Sequence, residues 1–144
     1  MNTEDRLDIL INNAGLALIG GQEKTLTEDG NELTLQSNHL GHFLLTNLLM
    51  DKMEEFPGSR IVNVSSIAHH APIWYMPRNR YLDINDLNFD SNEYDGVAAY
   101  GCSKLANILF TKELAKRLKN ATMQMRVMMK RLKLMLLRCI HPPG

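Results

Sequence analysis

The chain has no net charge, sixteen basic residues balancing sixteen acidic ones. No global field therefore draws it to a phosphate backbone, and no cluster of bases interleaved with aromatics supplies a local one, so a nucleic-acid partner is not expected. Its two cysteines, Cys102 and Cys139, are too few for a disulfide framework, and a reducing compartment is the default. Cys102 reads as a packed small hydrophobe. No segment reaches the roughly 18 uninterrupted apolar residues of a membrane span. The opening MNTEDRLDILIN has no basic start, apolar stretch or small-residue cleavage site, so it is not read as a secretory leader. The sequence as given thus reads as cytoplasmic, and the sequons at Asn63 and Asn120 as chance matches.

What is present is 144 residues with 44% hydrophobic content, the length and composition of one globular domain. Ile9 to Ile11, flanked by Leu7, form a short apolar run ended by Asn-Asn-Ala-Gly, the pattern of a central strand buried on both faces of a parallel sheet. From about Thr27 to Glu55, Leu and Phe recur at helical spacing, with Thr27 as N-cap ahead of Glu28 and Asp29, and Gly30 placed to shift the first turn. Pro57-Gly58 marks a turn, and Arg60 to Ser65 reads as a β-branched strand. Ala71 to Asn92 is a long excursion holding Pro72, Trp74, Tyr75 and Pro77, and loops of that length are often functional. Ala98 to about Lys119 is a second long helix, with Leu105, Ile108, Leu109 and Leu114 as its apolar stripe. Strands alternating with helices specify an α/β fold with a parallel sheet.

After Asn120 the composition shifts. Residues 123–138 hold five of the nine methionines, five basic residues and no acidic one. The stretch reads as an insertion that is either a basic amphipathic segment for a membrane surface or partner, or a helix extension followed by a strand over Met135 to Ile140.

The chemistry centres on Tyr100 and Lys104 in YGCSKLANILF. Four residues of helical spacing set a phenol and an ammonium on one face, and a cation close to a phenol favours its ionised form, the requirement for a tyrosine acting as acid and base. By itself such a pair is far more often a partly buried Tyr beside a solvated Lys. Ser65 and Ser66 end a strand, where open α/β sheets bind ligands. His39, His42, His69 and His70 raise the question of a metal, but no carboxylate or thiol completes a ligand set, so none is expected.

In order along the chain, LDILINNAG, SNHLGHFLLTNLL, RIVNVSS and YGCSKLANILF together resemble the short-chain dehydrogenase/reductase family. VNVSSIAHH and YGCSKLANILFTKELAKRL resemble its retinol dehydrogenase-like branch. The resemblance implies an oxidoreductase that interconverts a hydrophobic alcohol with its aldehyde or ketone using NADP(H), with NAD(H) as the alternative cofactor. It implies Asn38, Ser66, Tyr100 and Lys104 as the catalytic residues: Tyr100 the general acid and base, Ser66 the donor to the substrate oxygen, Lys104 the partner of Tyr100 and of the nicotinamide ribose, Asn38 the holder of a relaying water. Asn12, Asn13, Ala14 and Gly15 are placed along the adenosine half of the cofactor, Ser65, Pro143 and Gly144 around the nicotinamide, and His69 and His70 at the substrate mouth. Relatives of this kind often associate with the endoplasmic reticulum membrane, and the two long helices suit a homodimer.

The family's glycine-rich G-x-x-x-G-x-G turn, which brings backbone N–H groups and a helix N-terminus to a pyrophosphate, is not in this sequence. Residues 1–144 are therefore expected to form a single partial Rossmann-like domain, the catalytic half of a doubly wound parallel sheet without its first strands, leaving an apolar edge at Ile9 to Ile11. On that expectation the isolated chain is a fragment of weak or no activity, or a non-catalytic interaction protein descended from such an enzyme.

Overall fold

Ile9–Asn12, Arg60–Ser66 and Gln124–Lys130 form strands β1, β2 and β3 of one parallel sheet, paired in that order. The computed structural model describes residues 5–18, 20–70, 82–91, 93–118 and 124–130. Parallel strands need long crossovers, and helices supply them. Between β1 and β2 run a single turn α1 (Leu33–Leu35), a π-helical turn (Gln36–Leu40) and helix α2 (Gly41–Glu54). After β2 come a 3₁₀ turn (Ile67–His70) and helix α3 (Gly96–Arg117), which leads to β3. This is the expected α/β architecture.

The register sets Leu10 opposite Ile61 and Asn12 opposite Asn63, on the face that receives both helices. Leu10, Met53 and Ile61 form a core there, with Leu49, Met50, Leu114 and Leu118 packed around it. Full burial of Met53 and Ile61 stabilises by about 1.5–3 kcal/mol each. The reading of Ile9 to Ile11 as buried on both faces needs correction: Ile9 is 43% and Ile11 57% exposed. Among the described residues β1 is an edge strand rather than a central one, and this is the open apolar edge that the missing first strands led one to expect.

Two helix starts also differ from expectation. Thr27 does not cap a helix; the Gly30 N–H bonds its carbonyl at 2.9 Å, and Gly30 takes φ +77, a left-handed value that suits glycine. The helix begins instead behind Glu32, whose buried carboxylate accepts from the N–H groups of Thr34 (2.9 Å) and Leu35 (2.6 Å). In α3 the cap is Asp95, accepting from the Val97 N–H at 2.9 Å, so the helix starts two residues ahead of Ala98. Seven residues of the basic, methionine-rich stretch are β3, paired with β2 along its length, and not a helix extension. The strand expected over Met135 to Ile140 lies outside the described residues, as do Trp74, Tyr75, Cys139, Pro143 and Gly144.

Candidate active site

A buried polar ladder ties the elements beneath the site. The Asn12 amide donates to Thr46 Oγ1 of α2 (2.9 Å) and to Asn63 Oδ1 of β2 (2.7 Å). Asn63 in turn donates to Thr111 Oγ1 of α3 (2.9 Å), and Thr111 to the Asn107 carbonyl (2.7 Å). Asn12 is expected both along the cofactor and, through its amide, as a tie between neighbouring strands; its side chain points into the helix-covered face and bonds β2 and α2. The next three residues, Asn13, Ala14 and Gly15, are exposed, at the carboxyl end of β1 where such sheets take ligands.

Gly15 lies against the deepest part of the site. A Cβ placed there would fall 2.7 Å from Asn38 Oδ1 and 3.3 Å from Lys104 Nζ. Asn38 sits at the centre of the π-turn, an irregularity that is frequent at functional sites, and is fully buried. Its Oδ1 accepts from the Leu16 N–H (2.8 Å), while its Nδ2 donates to the Leu16 carbonyl and to Ser103 Oγ, both at 2.9 Å. The side chain thus clamps the strand-end loop to α3. Its backbone carbonyl accepts from Asn107 Nδ2 (3.0 Å) and lies 3.1 Å from His42 Nδ1.

Tyr100 and Lys104 share one face of α3, as their spacing requires. Lys104 is only 4% exposed, its ammonium 5.5 Å from the centroid of the half-buried Tyr100 ring, within cation–π range. It also reaches the Val64 carbonyl at 3.4 Å. The two serines of β2 face opposite ways. Ser65, expected beside the nicotinamide, donates its hydroxyl to the Lys104 carbonyl (2.8 Å) and so seats α3 on the strand. Ser66 Oγ accepts from the Ala68 N–H (3.2 Å), which leaves its hydroxyl proton to donate to a further oxygen.

Three histidines turn their Nδ1 atoms inward: His39 to Asn107 Oδ1 (2.9 Å), His42 to the Asn38 carbonyl, and His69 to the Ser66 carbonyl (2.7 Å). Burial pushes the pKa of His39 below its ordinary value, against a hydrogen bond to Asn107 that raises it. His42 is lowered too, by burial first and also by the Lys104 charge. The His70 ring lies 3.8 Å from that of His69. Among the described residues no three of His, Cys, Asp and Glu gather as a metal site.

Four participants escaped sequence reasoning. Ser103 and Asn107 lie on the Lys104 face of α3, and an asparagine inside a long helix, poorly suited to that place by propensity, was the signal for Asn107. Glu32 and Tyr94 form the other pair: the Tyr94 hydroxyl donates to Glu32 Oε1 at 2.8 Å, and burial with this carboxylate pushes the Tyr94 pKa up to about 12. That contact, with Asn88 bonding the Glu32 N–H (2.8 Å), anchors the segment leading into α3. Nothing local in the sequence joins residues so far apart.

Comparison with known proteins agrees with this geometry. The short chain dehydrogenase family model matches residues 1–77. Human retinol dehydrogenase 13 is 49% identical over 118 residues, covering 82% of this chain and 32% of its own. Human retinol dehydrogenase 14 is 45% identical over 130 residues, covering 89% and 34%. The chain thus spans about a third of the length of these relatives. Among solved structures, an uncharacterised protein from Mycobacterium Paratuberculosis matches with TM-score 0.66 and 38% identity, over 89% of this chain and 42% of that one. A short-chain dehydrogenase from Sphingobium yanoikuyae in complex with NADPH matches with TM-score 0.64 over 89% and 41%, and at 22% identity it speaks for the fold.

Proposed function

The chain belongs to the short-chain dehydrogenase family, and from that premise we propose that it carries the catalytic half of an NADP(H)-dependent oxidoreductase of the retinol dehydrogenase kind, interconverting a hydrophobic alcohol and its aldehyde or ketone. The observation that carries this is the convergence of Lys104, Asn38 and Gly15, with Tyr100 on the same helix face. A buried ammonium is costly without a purpose or a partner, and here it lies beside a phenol at the carboxyl end of a parallel sheet.

The residues present suit the nicotinamide-ribose side of a dinucleotide, while the glycine-rich turn for its pyrophosphate is not among them. The exposed strip Asn13 to Gly15 gives a flat approach beside Lys104, and any side chain at Gly15 would fill it. Asn13, Ala14, Gly15 and Lys104 would hold the cofactor, which when bound supplies or takes the hydride. NADP(H) is the form proposed, with NAD(H) as its competitor in the assay. Ser66 donates its free hydroxyl proton to the carbonyl oxygen of the substrate, polarising it. Tyr100 gives its proton to that oxygen in reduction and takes one from the alcohol in oxidation. Lys104 supplies positive charge to the tyrosine as the proton leaves. The apolar substrate class follows the 45–49% identity to retinol dehydrogenases.

A second reading, a non-catalytic dimerisation module, has its own observation. Phe43, Leu44, Leu45 and Leu48 on α2 and Leu109 on α3 are exposed, apolar surface suited to a second copy. Among the described residues no helix is long and apolar enough to cross a membrane, and membrane contact is left to the same experiments. The mass of the native protein, detected through a peptide spanning Tyr100 to Lys104, fixes which polypeptide to assay. NADPH binding and reduction of retinal or long-chain aldehydes are then measured on that protein and on Tyr100→Phe. Binding in both with turnover at least about a hundredfold lower in Tyr100→Phe supports the oxidoreductase. A stable dimer that binds neither NADPH nor NADH overturns it in favour of the second reading.

A further inference from the structure

Asn107 is a fully enclosed polar side chain with three partners on two elements, the π-turn and β2. Its Nδ2 donates to the Asn38 carbonyl of the π-turn (3.0 Å) and to the Val64 carbonyl of β2 (3.2 Å). Its Oδ1 faces His39 Nδ1 at 2.9 Å. An amide has two donor hydrogens and one oxygen, so this arrangement uses both donors on carbonyls and assigns the His39 Nδ1 a proton. The amide orientation follows: turned over, its oxygen would meet two carbonyl oxygens.

One of these two carbonyls also serves Lys104. Val64 O accepts from Lys104 Nζ at 3.4 Å, and the Asn38 side chain shares with Lys104 the space above Gly15. A buried carbonyl that loses one of its donors attracts a nearby ammonium more strongly, because the low dielectric strengthens each such contact. Asn38 O keeps the His42 Nδ1 contact when the Asn107 donors are removed, but Val64 O, which Asn107 Nδ2 and Lys104 Nζ share, would draw Nζ inward and away from the Tyr100 ring. The titratable groups surrounding this arrangement are His39 and His42 on the π-turn side and Tyr100 and Lys104 on α3.

We infer that Asn107 is a positioning residue: its amide, oriented by His39 and tied to the Asn38 carbonyl, shares the Val64 carbonyl with Lys104 and thereby sets where the Lys104 ammonium stands relative to Tyr100. The inference rests on the oxidoreductase reading for its consequence in turnover, but not for the placement of Lys104.

The test uses three measurements. In the unaltered protein, the Asn107 side-chain amide protons should exchange with solvent at least about a hundredfold more slowly than those of the exposed Asn85, as enclosed donors do. Asn107→Asp keeps the shape and replaces the donors by acceptors; with the fold retained, the Lys104 side-chain NMR signals should shift while those of the distant Lys24 stay. In turnover, Asn107→Asp should lower kcat by about tenfold to a hundredfold with KM within about threefold, and move the tyrosine-dependent limb of the pH–rate profile upward by about one unit. Asn107→Leu, uncharged, should move the Lys104 signals as well. Fast exchange of the Asn107 amide, or unmoved Lys104 signals in a folded variant, overturns the inference whatever the turnover. Should the Lys104 signals move while turnover is insensitive to Tyr100→Phe, the catalytic reading falls and the placement of Lys104 by Asn107 stands.

Discussion

Replacing Gly15 by alanine tests the site with a single methyl group. Gly15 is not among the glycines with positive φ, so the backbone itself accepts alanine. On that ground alone the substitution would stabilise the protein by roughly 0.4–1 kcal/mol, through loss of freedom in the unfolded chain. The surroundings reverse the sign. The new Cβ falls 2.7 Å from Asn38 Oδ1, and that atom cannot swing away cheaply, since it accepts from Leu16 N–H while the same amide holds the Leu16 carbonyl and Ser103 Oγ. Movement of Asn38 would leave buried groups unpaired at a cost of about 1–3 kcal/mol, and movement of the loop would strain it by a similar amount.

The larger penalty wins, so Gly15→Ala is expected to destabilise by a net ~1–2 kcal/mol. Because Lys104 Nζ lies at 3.3 Å, dinucleotide affinity should fall as well, whereas the exposed Gly20→Ala, which meets nothing within 4 Å but is strained by its φ of +90, should lose stability and leave affinity unchanged. Urea denaturation and NADPH titration of the two variants decide the matter. A Gly15→Ala protein at least as stable as the parent, binding dinucleotide equally well, would show that Asn38 is not held as its hydrogen bonds indicate and would refute the reasoning.

Other expectations follow from the same contacts. Asn12→Leu removes the bonds to Thr46 and Asn63 and should cost about 1–3 kcal/mol, read as a lower urea midpoint; an unchanged midpoint would contradict the ladder. His39 and His42 have folded pKa values below the ordinary 6.5, so the unfolded chain binds their protons more tightly. Stability should be complete above pH 6.5 and decline as the pH falls below it; a flat urea midpoint between pH 7.5 and 5 in the parent, or the same slope in a His39→Gln, His42→Gln variant, would refute this. Tyr94, raised to about 12 from an ordinary 10.0, contributes stability below pH 10 that is lost as the pH rises toward 12. Its phenolate absorbance should appear earlier in Glu32→Gln, but only in part, because burial is the larger cause.

The fold and the site were legible to different depths. Repeating apolar residues marked both long helices, and a β-branched run marked β2, but the repeats did not tell the buried face from the open one: Phe43, Leu44, Leu45 and Leu48 of α2 and Leu109 of the α3 stripe are exposed. The edge position of β1 was harder to read: Ile9, Leu10 and Ile11 look alike, and only the layering of the helices, both on the side of Leu10, shows which face is open. Tyr100 and Lys104 could be paired from spacing alone. Asn107 could not, since its partners belong to the π-turn and to β2, and no helical period records a contact made across elements. The same holds for Glu32, hidden behind an attractive cap at Thr27 until Gly30 turned the chain.

This division has a physical cause that bears on function. Local signals record what a residue does for its own element, and the residues that handle chemistry are held by neighbours elsewhere. Asn38 joins the end of β1 to α3, Ser65 seats α3 on β2, and Asn63 connects β1 through β2 to Thr111. These bonds run between elements and lie in enclosed surroundings, where each unpaired partner is costly. Loosening one would therefore move Lys104 and Tyr100 together rather than singly. The tyrosine and the lysine act as a pair because the asparagines and serines beneath them make the sheet and the helix a single support.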